Sequence, residues 1–379
     1  MIDAGVALGM RGMEDFNESD EERVGHAMST IYKGLRVSAA KAFLKPVLGR
    51  PNLHLAIDTV AQRLIFENGR AVGVETRAGG DVSQVRAREV IMAMGALESP
   101  KLLQLSGIGP RDVLETAGVP VYLERDQVGR RMLEHFCVIA TYRLNENLGY
   151  NKHLRSKVAK GVTALRYLAT RKGPLATPTG DVMAIFKTRP DIPRVDGQVL
   201  VTLMSVGRTV RPDQPAAVEP FPGVSCMAEV LRPTSEGRVW ITSPDPNAPL
   251  KVDPNYLDTD YDRKTSADLL RRVRQLFAQS PLADRVDHEI GPGPEVQTDA
   301  EIVDAVLNTG TTGSHAVATC AMGPSDDDIV DDRCRVRGIE ALRIVDCSIM
   351  PTMISGNLNG PTMAMAWRAA DLILDSTTA

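Results

Sequence analysis

The spacing of apolar positions changes several times along the chain, and each change marks an element. Within residues 53–96, RLIFE and AVGVE flank Asn68-Gly69. That pair supplies positive φ at both central positions of a two-residue hairpin. A second turn at Gly79-Gly80 leads on to VSQVRA, so a three-stranded meander is predicted. In REVIMAMGALESPKLLQL, residues 88–105, an apolar run bounded by Gly95 reads as a buried strand. Ser99-Pro100 then reads as an N-cap with proline at the first helical position. Strand, glycine turn and helix together would let a ligand approach backbone N–H groups at a helix start.

The middle of the chain mixes periods. Residues 152–172 carry seven Lys or Arg, interleaved with Val158, Val162, Leu165 and Leu168. This spacing predicts an amphipathic helix with a solvated basic face, the alternative being a phosphate or lipid patch. VSCMAEVLRPTSEGRVWITS reads as two strands around a Ser-Glu-Gly turn. Residues 268–279 read as a helix with Leu269, Leu270, Val273, Leu276 and Phe277 inward. Near the end, ALRIVDCSIMP is a short apolar strand closing on Asp346. In GNLNGPTMAMAWRAADLIL a helix should begin at Pro361 and bury Met363, Trp367, Ala370 and Leu374. The Asn-rich loop 355–360 then sits at a helix N-terminus, where free N–H groups and the dipole favour negative charge.

Composition narrows the function classes. With 379 residues the chain should form two domains around substantial cores. Its 44 basic and 48 acidic residues give a net charge of −4, which offers no global field for nucleic acid or an anionic membrane. A small-molecule partner is the default. The five cysteines, at 137, 226, 320, 334 and 347, show neither zinc-ligand nor disulfide spacing, and this usage suits a reducing, cytoplasmic compartment. The N-terminus does not read as a signal peptide. The uncharged run 347–367 is interrupted by proline and glycine and does not read as a transmembrane segment.

Candidate chemistry gathers in the last 70 residues. His315 stands among small residues in TGSHAVATC, and Asn357, Asn359 and Asp346 follow. Singly, each has a structural reading: a packed histidine, turn asparagines, a capping aspartate. Ser314 beside His315 does not make a hydrolase pair, because adjacent strand residues face opposite ways and no G-x-S-x-G elbow occurs. The six histidines, at 26, 54, 135, 153, 288 and 315, lack metal-ligand spacing, so no metal is expected.

The order of three stretches resembles the glucose-methanol-choline (GMC) oxidoreductases: GALESPKLLQLSGIGP at 95–110, HAVATCAMG at 315–323, and RIVDCSIMPTMISGNLNGPTMAMAWRAADLI at 343–373. The likeness extends from about residue 12 to residue 373 and is weakest over 137–230. It implies an FAD enzyme that oxidises an alcohol to an aldehyde or ketone, with choline-dehydrogenase-like members nearest in the GNLN turn. The resemblance makes His315 the general base and Asn357 the residue that orients the substrate oxygen. It also places Ala61, Gly95, Asp346, Cys347, Asn357, Leu358, Asn359, Pro361 and Thr362 at the cofactor. The implied fold is α/β and α+β: an incomplete Rossmann-like FAD-binding domain (1–136), a substrate domain with an antiparallel sheet backed by helices (137–300), and a segment returning to the FAD domain (301–379).

The family's G-x-G-x-x-G unit is not found, since GIGPRD and GPGPEV both lack the third glycine. The expectation from sequence is therefore a chain without the family's N-terminal FAD-binding segment. Relatives usually carry glycine at position 318, asparagine at 131 and alanine at 94, where this chain has Ala318, Arg131 and Met94. A methyl at 318 is tolerable unless the backbone there needs positive φ. The rival reading is a catalytically inactive C-terminal remnant or a flavin-free binding protein of the same fold.

Overall fold

The computed structural model describes residues 1–178, 180–207 and 217–377. They form two compact units woven from alternating stretches of chain: 1–55, 136–231 and 260–311 in the first, and 56–135, 232–259 and 312–379 in the second. This partition by compactness cuts the chain differently from 1–136, 137–300 and 301–379. Residues 1–55 join the middle of the chain because Arg23–His26 pairs antiparallel with Val182–Phe186. Such a long-range pairing leaves no local trace.

The first unit is built on a mainly antiparallel sheet. Its order is Arg11–Gly12, Arg23–His26, Val182–Phe186, Gly197–Thr202, Gly223–Val230, Phe136–Leu144, Val286–Gly291. Helix Asp260–Phe277 lies against it and buries Leu269, Leu270, Val273, Leu276 and Phe277, the face its periodicity predicted. The Phe277 ring stacks on Tyr142, centroids 3.9 Å apart. Arg274 grips Glu289 through two bonds of 2.9 Å, tying the helix to the edge strand. Gly223–Val230 pairs within this sheet, whereas Arg238–Trp240 pairs with Lys251–Asp253 in the second unit. Both predicted strands exist, but they do not form a hairpin with each other.

Helix Lys157–Thr170 forms where its pattern predicted, with Ser156 accepting from the Ala159 N–H as N-cap. Its apolar stripe does not pack. Val158, Val162, Leu165 and Leu168 are 78%, 62%, 69% and 63% exposed, and Thr163 is the buried position. The helix seats itself by its small and polar side.

The second unit carries the α/β part. Strands Thr59–Glu67, Arg70–Ala78 and Asp81–Arg86 form the predicted meander, with Asn68 at φ 50° and Gly69 at φ 80° in the first turn. Val90–Met92 pairs in parallel with Leu342–Ile344. Val90, Met92, Leu342 and Ile344 join Leu102, Leu103 and Ile108 in one core.

Two helix expectations need correction. The helix after Met92 begins at Gly95, so Pro100 lies inside it. Proline cannot donate to the carbonyl four residues back. That carbonyl, on Ala96, accepts instead from the Thr319 hydroxyl at 2.7 Å. Ser99 is not an N-cap but is fully buried, donating to Asp346 Oδ2 at 2.6 Å. The last helix begins at Asn359, not Pro361, and runs to Thr377. Its inward contacts are Met365 and Ala369, while Trp367 is 69% and Leu374 64% exposed. With apolar residues on several sides of the helix, 3.6-residue spacing admits more than one inward face.

Candidate active site

Two segments of the second unit run antiparallel and set the histidines side by side. Leu133 and Val317 exchange backbone bonds of 3.1 and 2.9 Å, and the Gly313 N–H donates to the His135 carbonyl at 2.8 Å. The result places His135 Nδ1 3.0 Å from His315 Nδ1, with the rings edge to face. The opposite nitrogen, His315 Nε2, lies 3.3 Å from the Asn357 side-chain amide nitrogen. The sequence-predicted base and its polar partner are thus brought together across 42 residues.

The small residues around His315 have separate physical reasons. A Cβ on Gly313 would stand 3.0 Å from His315 Nδ1 and 3.1 Å from the His135 Cβ, so a side chain there would crowd both rings. Ser314 and Ala318 adopt φ of 60° and 70°. Ala318 is therefore the strained case, a buried residue in the left-handed region that favours glycine.

Glu134 is a residue that sequence reasoning missed. Its buried carboxylate accepts from the backbone N–H of His315 at 2.7 Å. Burial pushes its pKa above the ordinary carboxylate value, opposed by hydrogen bonds from the His315 backbone, the Thr312 side chain and the His135 backbone. Burial lowers the pKa of His315 below its usual 6.5, because an imidazolium loses solvation there. A neutral imidazole at neutral pH follows, which is the form a base requires.

Leu358, Leu133, Val317, Ala318, Met350 and Met353 share one core. This core anchors the loop carrying Asn357 and the loop carrying His315. The Arg232 guanidinium donates to Ser355 Oγ at 2.7 Å, bracing the Asn357 loop from a distant segment. Arg131 bonds Glu236 at 2.7 Å and the Pro351 carbonyl at 3.0 Å. Its departure from the usual asparagine therefore serves as a tie between segments.

A second group gathers around the start of the helix at residue 95. Gly95, at φ 85°, opens helix Gly95–Leu105. Asp346 lies beside this helix through Ser99, and its Oδ1 accepts from the Ser348 N–H at 2.8 Å, capping the turn Cys347–Ile349. Cys347 is reached by the Ala96 backbone. Asn359, Pro361 and Thr362 form the first turn of the last helix, with the Thr362 N–H bonded to the Leu358 carbonyl. Ala61 sits apart on strand Thr59–Glu67, packed against the core around Leu64 and Leu102.

Comparison with known proteins identifies the family. Family models described as GMC oxidoreductase match residues 1–137 and 233–366. The N-terminal model thus covers the start of this chain, and the expectation that the chain lacks the family's N-terminal segment is not borne out. The oxygen-dependent choline dehydrogenase of Vibrio vulnificus is 37% identical over 98% of this chain and 66% of its own length. That of Brucella anthropi is 35% identical over 99% of this chain and 68% of its own. Pyridoxine 4-oxidase from Mesorbium loti superposes with a TM-score of 0.84 at 28% identity, over 98% of this chain and 68% of that one. The chain spans about two thirds of the length of the curated relatives it matches. On these matches and on the shared fold, the chain belongs to the GMC oxidoreductase family.

Proposed function

We propose that this chain serves the FAD-dependent oxidation of a small alcohol to an aldehyde or ketone. The observation that carries the reading is the placement of His315 Nε2 against the Asn357 amide, 3.3 Å apart, with His135 at the other ring nitrogen. The names of the relatives, choline dehydrogenases among them, make choline-like alcohols the first substrates to try.

The residues fit the cofactor at its anionic parts. Gly95 and Gly360 each stand in the first turn of a helix, and among the described residues nothing lies within 4 Å of where a Cβ would be added at either. Such openings let an extended anion approach backbone N–H groups and the positive helix end. Leu358, Asn359, Pro361 and Thr362 would border the flavin ring on one side. Asp346 and Cys347 would hold the segment near the ribityl and pyrophosphate, with Asp346 acting through the two segments it ties. FAD, when bound, supplies the acceptor for the hydride that leaves the alcohol carbon.

The protein's share is the proton and the oxygen. When His315 Nδ1–H donates to His135 Nδ1, the lone pair of His315 rests on Nε2, where the substrate hydroxyl arrives. His315 Nε2 then takes the hydroxyl proton as the carbonyl forms. The Asn357 amide donates to the same oxygen and fixes its position. Glu134 holds the His315 backbone in place through its N–H. The Asn357 amide nitrogen 3.3 Å from His315 Nε2 supports this tautomer, because it suits Nε2 as an acceptor.

The test uses the purified chain with added FAD and a panel of primary alcohols including choline. Retained flavin absorbance, a rise in melting temperature with FAD, and bleaching of the flavin by an alcohol without oxygen are expected. No flavin retention and no melting shift at saturating FAD would replace this reading with the flavin-free binding protein. Flavin binding without bleaching by any alcohol would leave a flavoprotein of another reaction.

A further inference from the structure

Helix Lys157–Thr170 points its most apolar side away from the protein. At about 100° per residue, Val158, Val162 and Leu165 fall within about 60° of one another, with Leu168 beside them. The more covered positions, Ala159, Thr163 and Tyr167, lie on the opposite side. Lys157 and Arg166 flank the stripe on either edge. Between residues 147 and 180 the sequence has seven Lys or Arg and no Asp or Glu, in a chain whose net charge is −4.

The surface continues into a neighbouring hairpin. The Tyr167 hydroxyl donates to the Gly34 carbonyl at 2.9 Å, joining the helix to the strands Ile31–Tyr32 and Leu35–Arg36. There Tyr32 and Leu35 are exposed beside Lys33 and Arg36.

We propose that this helix is a docking surface for an anionic lipid bilayer, lying in the plane of the headgroups with its apolar stripe inserted. Exposed aliphatic side chains opposite the packed side, bordered by cations, are the pattern of an interfacial helix. A second copy of the chain would set cations against cations. A nucleic acid would satisfy the charges but leave the aliphatic stripe wet. Among the described residues no helix is long and apolar enough to cross a membrane, so the contact would be peripheral.

The experiment sediments the whole chain with vesicles of phosphatidylcholine, with and without phosphatidylglycerol, at low and high salt. Binding to the mixed vesicles is expected, with little to phosphatidylcholine alone and a marked loss at high salt. The double variant Val162→Ser/Leu165→Ser and the charge variant Lys157→Glu/Arg166→Glu should each weaken binding about tenfold or more. Their melting curves should match the parent, since these side chains are exposed. No sedimentation of the parent with phosphatidylglycerol vesicles would overturn the proposal, as would undiminished binding of the serine variant. A lipid-free dimer that Val162→Ser/Leu165→Ser converts to monomer would assign the surface to a second copy and overturn it as well.

Discussion

At His315 a ring nitrogen of His135 lies 3.0 Å from Nδ1, and the proposed base role can be tested there. Replacing His315 by alanine should slow alcohol oxidation about 100-fold or more, with FAD binding retained. Unchanged turnover would remove this residue from the reaction. His135→Phe removes the Nδ1 partner, so turnover should fall while the FAD melting shift persists; a shift lost in step with turnover would point to a merely structural role. The acidic limb of the kcat/KM profile should lie below pH 6.5, the ordinary histidine value, because burial lowers the His315 pKa. The sign follows from the base being active only when neutral: activity is lost as pH falls through that depressed pKa. A limb above pH 6.5 would contradict it. Ala318 offers a separate test of backbone strain. Ala318→Val, a β-branched side chain at φ 70° in a buried site, should lower stability by about 2 kcal/mol or more. Ala318→Gly should be tolerated, and thermal melting distinguishes the two. That His315 and Asn357 would stand together was legible from motif order, and the structure sets them 3.3 Å apart. Glu134 was not, because a carboxylate that accepts a backbone N–H 181 residues away leaves no local pattern.

Among the elements, the Asn68-Gly69 turn and the inward face of helix Asp260–Phe277 were read correctly from local chemistry, whereas helix Asp299–Thr309 was not predicted. The Asn68-Gly69 turn demands positive φ from residues that tolerate it, and helix Asp260–Phe277 has a single continuous apolar face. Helix Asp299–Thr309 carries a full capping box from Thr298 and Glu301, so Thr298→Ala should cost about 1 kcal/mol in chemical denaturation. Where reading failed, a distant partner had changed the local rule. Pro100 is accepted inside a helix because Thr319 satisfies the Ala96 carbonyl, and Ser99 turned from cap to core through Asp346. Gln104 is a further long-range tie. Fully buried, it accepts from the Ile241 N–H and donates to the Val128 and Val239 carbonyls. Gln104→Ala should therefore destabilise by about 3 kcal/mol, since several buried backbone groups lose partners at once. A loss under about 1 kcal/mol would show that water or rearrangement replaces them.

On the scale of the whole molecule, the chain weaves two compact units from alternating segments, each with its own core. The parallel pair Val90–Met92 and Leu342–Ile344 shows the consequence, since residues some 250 positions apart in sequence share one buried ladder. The amino-acid sequence by itself determined the local alphabet: the meander and its turn, the helix faces with one apolar side, and the ordered motifs that mark the family. Those follow from short-range sterics, periodicity and residue chemistry. Tertiary structure alone decided which face of Lys157–Thr170 packs, where the helices around Pro100 and Asn359 begin, and how His135, His315 and Asn357 meet. The reason is that packing and hydrogen-bond satisfaction are settled by partners far away in sequence, and their energies exceed local preferences wherever the two disagree.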